Sequence, residues 1–276
     1  MGRGRLTAMA FGALAGAMIV YPGEAAEAAF QGLALWAKAV APVLGPFMAC
    51  MLMLTTRVGG GLWLRVGLSW LCGSPGGARL MQTIHPQGRQ ALRCAALTGT
   101  MSPMFFLGTI SAWLGSAPAG RVILACHLAG ALLTGLCIPA KRSQAHANAA
   151  PLSLSAALRE SALALLNIAL CMMLGCVAAR MAACALPSLP REAAALLQCS
   201  LEVTAGVRAV IDLGSPLVLP LICAACSFGG LSLLMQNAAF WQDCGITLSG
   251  LLPLRLIHGM LSGALCYLIT SILPVV

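Results

Sequence analysis

Residues 213–242 form a run of 30 residues without one charged side chain, broken near its middle by Gly229-Gly230. A helix crosses the hydrocarbon core of a bilayer with roughly 20 mainly apolar residues. The run is long enough to span, yet it carries two adjacent residues that weaken a helix from within. Other runs share its apolar character. Leu6 to Gly23, Phe30 to Thr56, Cys94 to Gly120, Val122 to Ala140, Ser161 to Cys184 and Leu252 to Pro274 are nearly uncharged throughout. Charged residues make up 8% of the chain and hydrophobic ones 60%, with a mean hydropathy of +0.92. Soluble domains carry roughly 25% charge, and no soluble surface hides this much apolar side chain. The pattern excludes a soluble enzyme, a nucleic-acid-binding domain and a disordered chain. It predicts an all-α membrane protein, a polytopic helical bundle in contact with lipid.

The interruptions repeat in order. Each half has a long helix, a short arm with a break, a broken long helix and an unbroken one. In the first half these fall at about 29–56, 59–81, 92–118 and 121–140, and in the second at about 157–184, 191–213, 214–242 and 252–275. The expected organisation is an N-terminal transmembrane helix over 1–28, a first repeat over 29–143, a cytoplasmic loop over 144–156 and a second repeat over 157–276. The short arms read as re-entrant hairpins. Pro42 and Pro46 predict a kink in the first long helix. With the N-terminus placed in the cytoplasm, Arg57, Arg79, Arg89, Arg93, Lys141, Arg142 and Arg159 lie inside, against Arg121, Arg180, Arg191 and Arg208 outside, as the positive-inside rule asks. Three crossings separate the N-terminal helix from the central loop, so the second repeat is inverted.

A broken helix in hydrocarbon leaves N–H and C=O groups unpaired, at about several kcal/mol each. Matched breaks in two halves point to a cavity that accommodates something polar. The breaks are assigned to Gly73, Pro75, Gly76, Gly77, Pro103, Gly206, Gly229 and Gly230. Glu202 is the sharpest candidate ligand, because an acid at mid-membrane costs on the order of 3 kcal/mol on insertion scales. It can accept hydrogen bonds from a solute or carry a coupling proton; the alternatives are a structural pair with Arg208 or an interfacial position. Gln236 donates and accepts at once, which suits a nucleobase edge or a sugar hydroxyl, but it can also simply tie two helices. Thr204, Ser227, Ser232, Ser74 and Ser102 either line the same cavity or bond back to their own helices. His127 and His258 read as satisfied helix–helix hydrogen bonds. Arg255 falls near the start of the last span. Cys223-Ala-Ala-Cys226 has redox or zinc spacing but stands alone, and the cysteines read as small hydrophobes. The chain shows no phosphate-binding loop, zinc-protease or nucleophile-elbow motif, so neither enzyme chemistry, a cofactor nor a metal is expected.

Several of these segments resemble a known family. Tyr21-Pro22, Gly32-Leu33-Ala34-Leu35-Trp36 and Val43-Leu44-Gly45-Pro46-Phe47 look like the opening of the sporulation integral membrane proteins of the YlbJ type. Gly73-Ser74-Pro75-Gly76-Gly77-Ala78 resembles their Gly-Tyr-Pro-x-Gly-Ala turn, and Ser102-Pro103-Met104-Phe105 their Ser/Asn-Pro-Leu-Phe break. Glu202-Val203-Thr204-Ala205-Gly206 and Ser227-Phe228-Gly229-Gly230-Leu231-Ser232 with Gln236 are similar to the corresponding second-half motifs, and His127 falls where the family often has His. Ser74 departs from the usual Tyr, and Thr98-Gly99-Thr100-Met101 lacks the family's Asn, which thins the polar lining of the first break. The wider group is the nucleoside-recognition or Gate domain. The resemblance implies a bacterial inner-membrane protein linked to sporulation, with a transporter-like core; the breaks and Glu202 add the expectation of a small polar solute such as a nucleoside, with proton or ion coupling. It also implies a retained first helix, although Arg3, Arg5 and the small residues Ala25, Ala26 and Ala28 have the layout of a signal peptide. The alternative reading is a non-transporting structural component of spore assembly.

Overall fold

The computed structural model describes residues 2–55, 57, 61–82, 84–140 and 152–273. Lys141, Arg142 and most of the expected loop over 144–156 lie outside the described residues, as do residues 59 and 60 of the first hairpin. Among the described residues the fold is all helix: a polytopic bundle with inverted repeats, re-entrant hairpins and broken helices. Among the described residues, five helical stretches are long and apolar enough to cross a membrane.

Helix α1 (Gly2–Val20) is followed almost at once by α2 (Pro22–Leu35), which starts with proline in its first turn, where a missing N–H costs nothing. The first long helix therefore begins at Pro22, earlier than the expected 29. Ala25 and Ala28, candidate cleavage-site residues by composition, are buried on α2 beside Val177 and Met181. A π-helical turn (Trp36–Val40) joins α2 to α3 (Ala41–Thr55). Pro42, the second residue of α3, has no N–H with which to resume the α ladder.

Two short helices, α4 (Leu62–Cys72) and α5 (Gly76–Gln82), pack on each other as a hairpin. An 11-residue arm is about 16 Å long, half of a bilayer core. Next come α6 (Gly88–Thr98), a second π-helical turn (Phe105–Ile110), α7 (Ser111–Leu114) and α8 (Ala117–Leu136). The second half begins with α9 (Leu154–Ala185) and repeats the order. Its hairpin is α10 (Arg191–Leu201) with α11 (Val203–Asp212), its broken helix α12 (Val218–Phe228) with α13 (Gly230–Trp241), and its last span α14 (Leu248–Ile272).

The inversion is visible in the pairing of the two long helices. Glu24 at the start of α2 forms an ion pair with Arg180 near the end of α9. Farther along, Gly32 lies against Met173 and Cys176, and Gly45 against Leu165. Just past α3, Arg57 donates to the Leu152 carbonyl (3.2 Å) ahead of α9. Equivalent helices thus run antiparallel, and the two hairpins enter from opposite ends. At the end holding Arg57, the base of the first hairpin is tied to the second repeat by Arg79–Glu160 (2.7 Å) and Gln82–Asp243 (2.5 Å).

Each hairpin tip meets the break of its own half. Gly73 has φ +66° and lies so close to Ser102 that a side chain there would overlap its backbone. The Ser74 N–H donates to the Thr100 carbonyl (2.7 Å). In the second half, Gly230 presses against the Leu201–Val203 tip. Several expected break residues move by a turn or less. Gly76 and Gly77 belong to α5. Pro103 opens the helix after a break at 99–102 rather than making the break itself, a position proline favours. Gly206 is helical within α11 and interrupts nothing; it lets the two arms of the second hairpin touch, because a Cβ there would overlap the Cys199 backbone.

Gly206→Ala is expected to destabilise the protein by about 1–3 kcal/mol through overpacking. Gly67→Ala, on the open face of α4 with nothing within 4 Å, is expected to be neutral or stabilising by about 0.5–1 kcal/mol. Thermal unfolding of the two purified variants beside the parent checks this; equal melting temperatures would remove the close-approach role of Gly206.

Candidate functional site

The two tips and two breaks converge on one cavity of about 60 Å³. Its polar wall is made of Ser74, Ser102, Thr109, Glu202, Thr204, Ser232 and Gln236. Ser74 comes from the first tip and Ser102 from the first break. Glu202 and Thr204 come from the second tip, and Ser232 and Gln236 from the second broken helix. The rest of the wall is apolar: Ala39 and Val40 in the first π-helical turn, Val43 and Leu44 just after it, and Met101, Phe105, Ile168, Met172, Val203 and Leu233. Both π-helical turns contribute to it, and Thr109 Oγ1 in one donates to the Ala39 carbonyl in the other (3.4 Å). Such turns often mark functional sites.

Six of the seven expected ligand residues therefore share one cavity. Glu202 is 1% exposed, so its carboxylate is enclosed by protein. Its extended backbone ends α10 and starts α11, and its Oε2 accepts the Ala205 N–H (2.6 Å), so the carboxylate caps the second arm. Gly175 of α9 leaves room for its stem, since a Cβ there would sit 2.8 Å from Glu202 Cβ. The alternative pairing with Arg208 fails: Arg208 instead pairs with Asp212 (3.5 Å) on the exposed side of α11. Among the described residues no basic side chain forms an ion pair with Glu202. Gln236 Oε1 and Ser74 Oγ are buried without hydrogen-bond partners.

Ser227 is the exception. It is fully buried but faces away from the cavity, with its Oγ 2.7 Å from His127 Nδ1. The Met101 N–H donates to His127 Nε2 (3.0 Å), so Nε2 carries no proton and Nδ1–H must donate to Ser227 Oγ. One imidazole thus joins the break of the first half, at Met101, to that of the second, at Ser227. His258 stacks beside it, with ring centroids 4.8 Å apart, and donates from Nε2 to the His127 carbonyl (2.8 Å). Each His is the eleventh residue of its helix, α8 or α14, so the two are counterparts across the repeat. His127 is thus satisfied at both ring nitrogens, whereas His258 makes its helix–helix bond with Nε2 and its Nδ1 is buried without a partner. Cys223 and Cys226 are buried free thiols, and among the described residues no cluster suited to a metal ion occurs.

Sequence reasoning missed two features. Thr109 lies in an apolar run with nothing to single it out. Arg255, read as near a helix start, is 4% exposed and reaches the end of α12, donating to the Ser227 carbonyl and from Nε to the Phe228 carbonyl (3.3 Å).

Fold and cavity together define the class: a polytopic membrane protein whose inverted hairpin-and-broken-helix repeats enclose a polar midpoint. Compared with known proteins, the chain matches no family model, no curated protein and no solved structure.

His127→Leu is expected to cost about 2–4 kcal/mol, because it strands the Met101 N–H and the Ser227 hydroxyl. Ser227→Ala is expected to cost less, and the double variant to fall clearly short of the sum. A double-mutant cycle on unfolding in detergent checks the coupling; strict additivity would break the proposed bridge.

Proposed function

We propose that this is a transporter-like membrane protein that holds a small polar solute at the membrane midpoint, between its two hairpin tips. The observation that carries the reading is the convergence of Ser74, Ser102, Glu202, Thr204, Ser232 and Gln236, drawn from all four interruptions, on one cavity. Buried polar atoms without partners are costly. Gln236 Oε1 and Ser74 Oγ have no partner within the protein, and a solute that donates to them satisfies both. With Glu202 the wall is rich in acceptors and has no cation of its own, so it favours a neutral or cationic donor over a phosphate-bearing anion. A nucleoside fits that preference and a nucleotide does not. The motifs that resemble the sporulation membrane proteins and the Gate domain support the same reading, with a bacterial cell membrane as its place and Glu202 as the group available to a coupling proton. The runner-up, a structural component of spore assembly without flux, is favoured by the size of the cavity. Its 60 Å³ suits a few waters, whereas solute pockets usually measure about 300–1,000 Å³.

Under the transport reading, Glu202→Gln and Gln236→Leu each lower uptake of labelled uridine into proteoliposomes by tenfold or more, at unchanged folded yield. Wild-type protein with no uptake above empty liposomes, across a nucleoside panel, would leave the structural reading. The orientation is checked separately with fusions in a bacterial host. Green fluorescent protein joined after Leu152 should fluoresce, and alkaline phosphatase joined after Leu189 should be active. The reverse pattern would invert the topology.

A further inference from the structure

Arg255 is a buried cation that hydrogen-bonds to backbone carbonyls. All seven Asp and Glu residues are described, and none pairs with Arg255. Its guanidinium, on α14, instead meets backbone. It donates to the Ser227 and Phe228 carbonyls, the last of α12 before the break at Gly229. On its other side Nη1 lies against Gly99, the residue that ends α6, where a Cβ would overlap it. Nη1 has no hydrogen-bond partner and is buried. The guanidinium thus lies between the ends of two 11-residue half-helices, one from each repeat: it is hydrogen-bonded to the end of α12 and sits against the end of α6 at Gly99.

A helix C-terminus carries partial negative charge from its unpaired carbonyls. In membrane proteins with broken helices, such ends are where Na⁺ or a proton is coordinated. A guanidinium stays charged, presents donors in several directions and is weakly hydrated, so it suits a dry site of this kind. The geometry points to Arg255 as a tethered cation that fills the place of an inorganic ion between the two half-helix ends. Gly99 supplies the room, and the His127 bridge from Met101 to Ser227 holds the two ends at the spacing the guanidinium spans. The site lies behind Ser227, outside the cavity, and its role holds whether or not the cavity carries a solute.

The test uses the full-length protein in detergent and reads thermal unfolding, with no solute needed. Wild-type protein is expected to melt at the same temperature in matched NaCl, KCl and choline chloride. Arg255→Ala is expected to melt roughly 5–10 °C lower, and low concentrations of guanidinium chloride should recover more than half of that loss while choline chloride recovers none. Arg255→Lys, which keeps a charge, serves where the alanine chain does not accumulate. It should lose less than half as much and respond to neither Na⁺ nor guanidinium. Three results would each overturn the assignment: wild-type protein stabilised by Na⁺ over choline, an alanine variant whose loss guanidinium leaves untouched, or a lysine variant stabilised by Na⁺.

Discussion

A peptide group without a partner in hydrocarbon is the constraint that organises this molecule. Each interruption of a span frees N–H and C=O groups at about several kcal/mol apiece, and each is answered by a specific group. At the first break, Ser74 of the facing tip donates to Thr100 (2.7 Å), His127 takes the Met101 N–H (3.0 Å), and Trp70 Nε1 donates to the Leu97 carbonyl (2.6 Å). At the second, Arg255 takes the Ser227 and Phe228 carbonyls. At the second tip, Glu202 caps α11 with its own carboxylate. The first hairpin therefore serves as a partner of the first broken helix through Ser74 and Trp70, while α8 and α14 supply His127 and Arg255.

The two halves solve this problem with different chemistry. The repeat supplies a buried His at the same place in α8 and α14, and the two imidazoles stack near the centre of the bundle. At the tips and breaks the charged groups come from the second half, Glu202 on the tip and Arg255 behind the break, although Arg65 is also buried on α4. The first half answers with Ser74 and a neutral imidazole. An inverted repeat gives two related frames, and the difference between their side chains gives the midpoint a polarity. The acid faces the cavity, while the cation is walled off by the end of α12.

The breaks and hairpins were legible because a Gly or Pro in an apolar run has few innocent explanations, and four such runs in one order leave fewer. Glu202 and Gln236 stood out for the same reason, as polar groups where polarity is costly. What stayed hidden depends on helix phase and on partners distant in sequence. Ser227 lies on the same motif as Ser232, yet five residues and a break later the helix presents a different face, so only Ser232 reaches the cavity. Arg255 sits seven residues into α14, a depth at which a long side chain normally snorkels to the interface; only the meeting of α6 and α12 beside it makes inward burial favourable. Arg208 was a plausible partner for Glu202 by spacing, but the helical turn puts it next to Asp212 instead. The π-helical turns have no local signature beyond Pro42, because an i→i+5 bond is set by the packing of the whole span.

The size of the cavity bears on how the two tips relate. At about 60 Å³ it suits a few waters, and withdrawal of either tip would enlarge it. The tips are not equally held. The base of the first hairpin is tied across the repeats by Arg79–Glu160 and Gln82–Asp243, whereas the ion pair at the base of the second, Arg208–Asp212, stays within α11. Partly exposed pairs contribute only about 0–1 kcal/mol each, so the ties bias the first hairpin without locking it. At the second tip the opposing weight is packing: Glu202 lies on Gly175, and the arms touch at Gly206 and Cys199. Those contacts join α10 to α11 and the tip to α9, and they allow the hairpin to move as one body. A withdrawal of the second tip would carry Glu202 out of the cavity and open it. A withdrawal of the first would remove only Ser74 and leave the acid in place, so the two movements are chemically distinct.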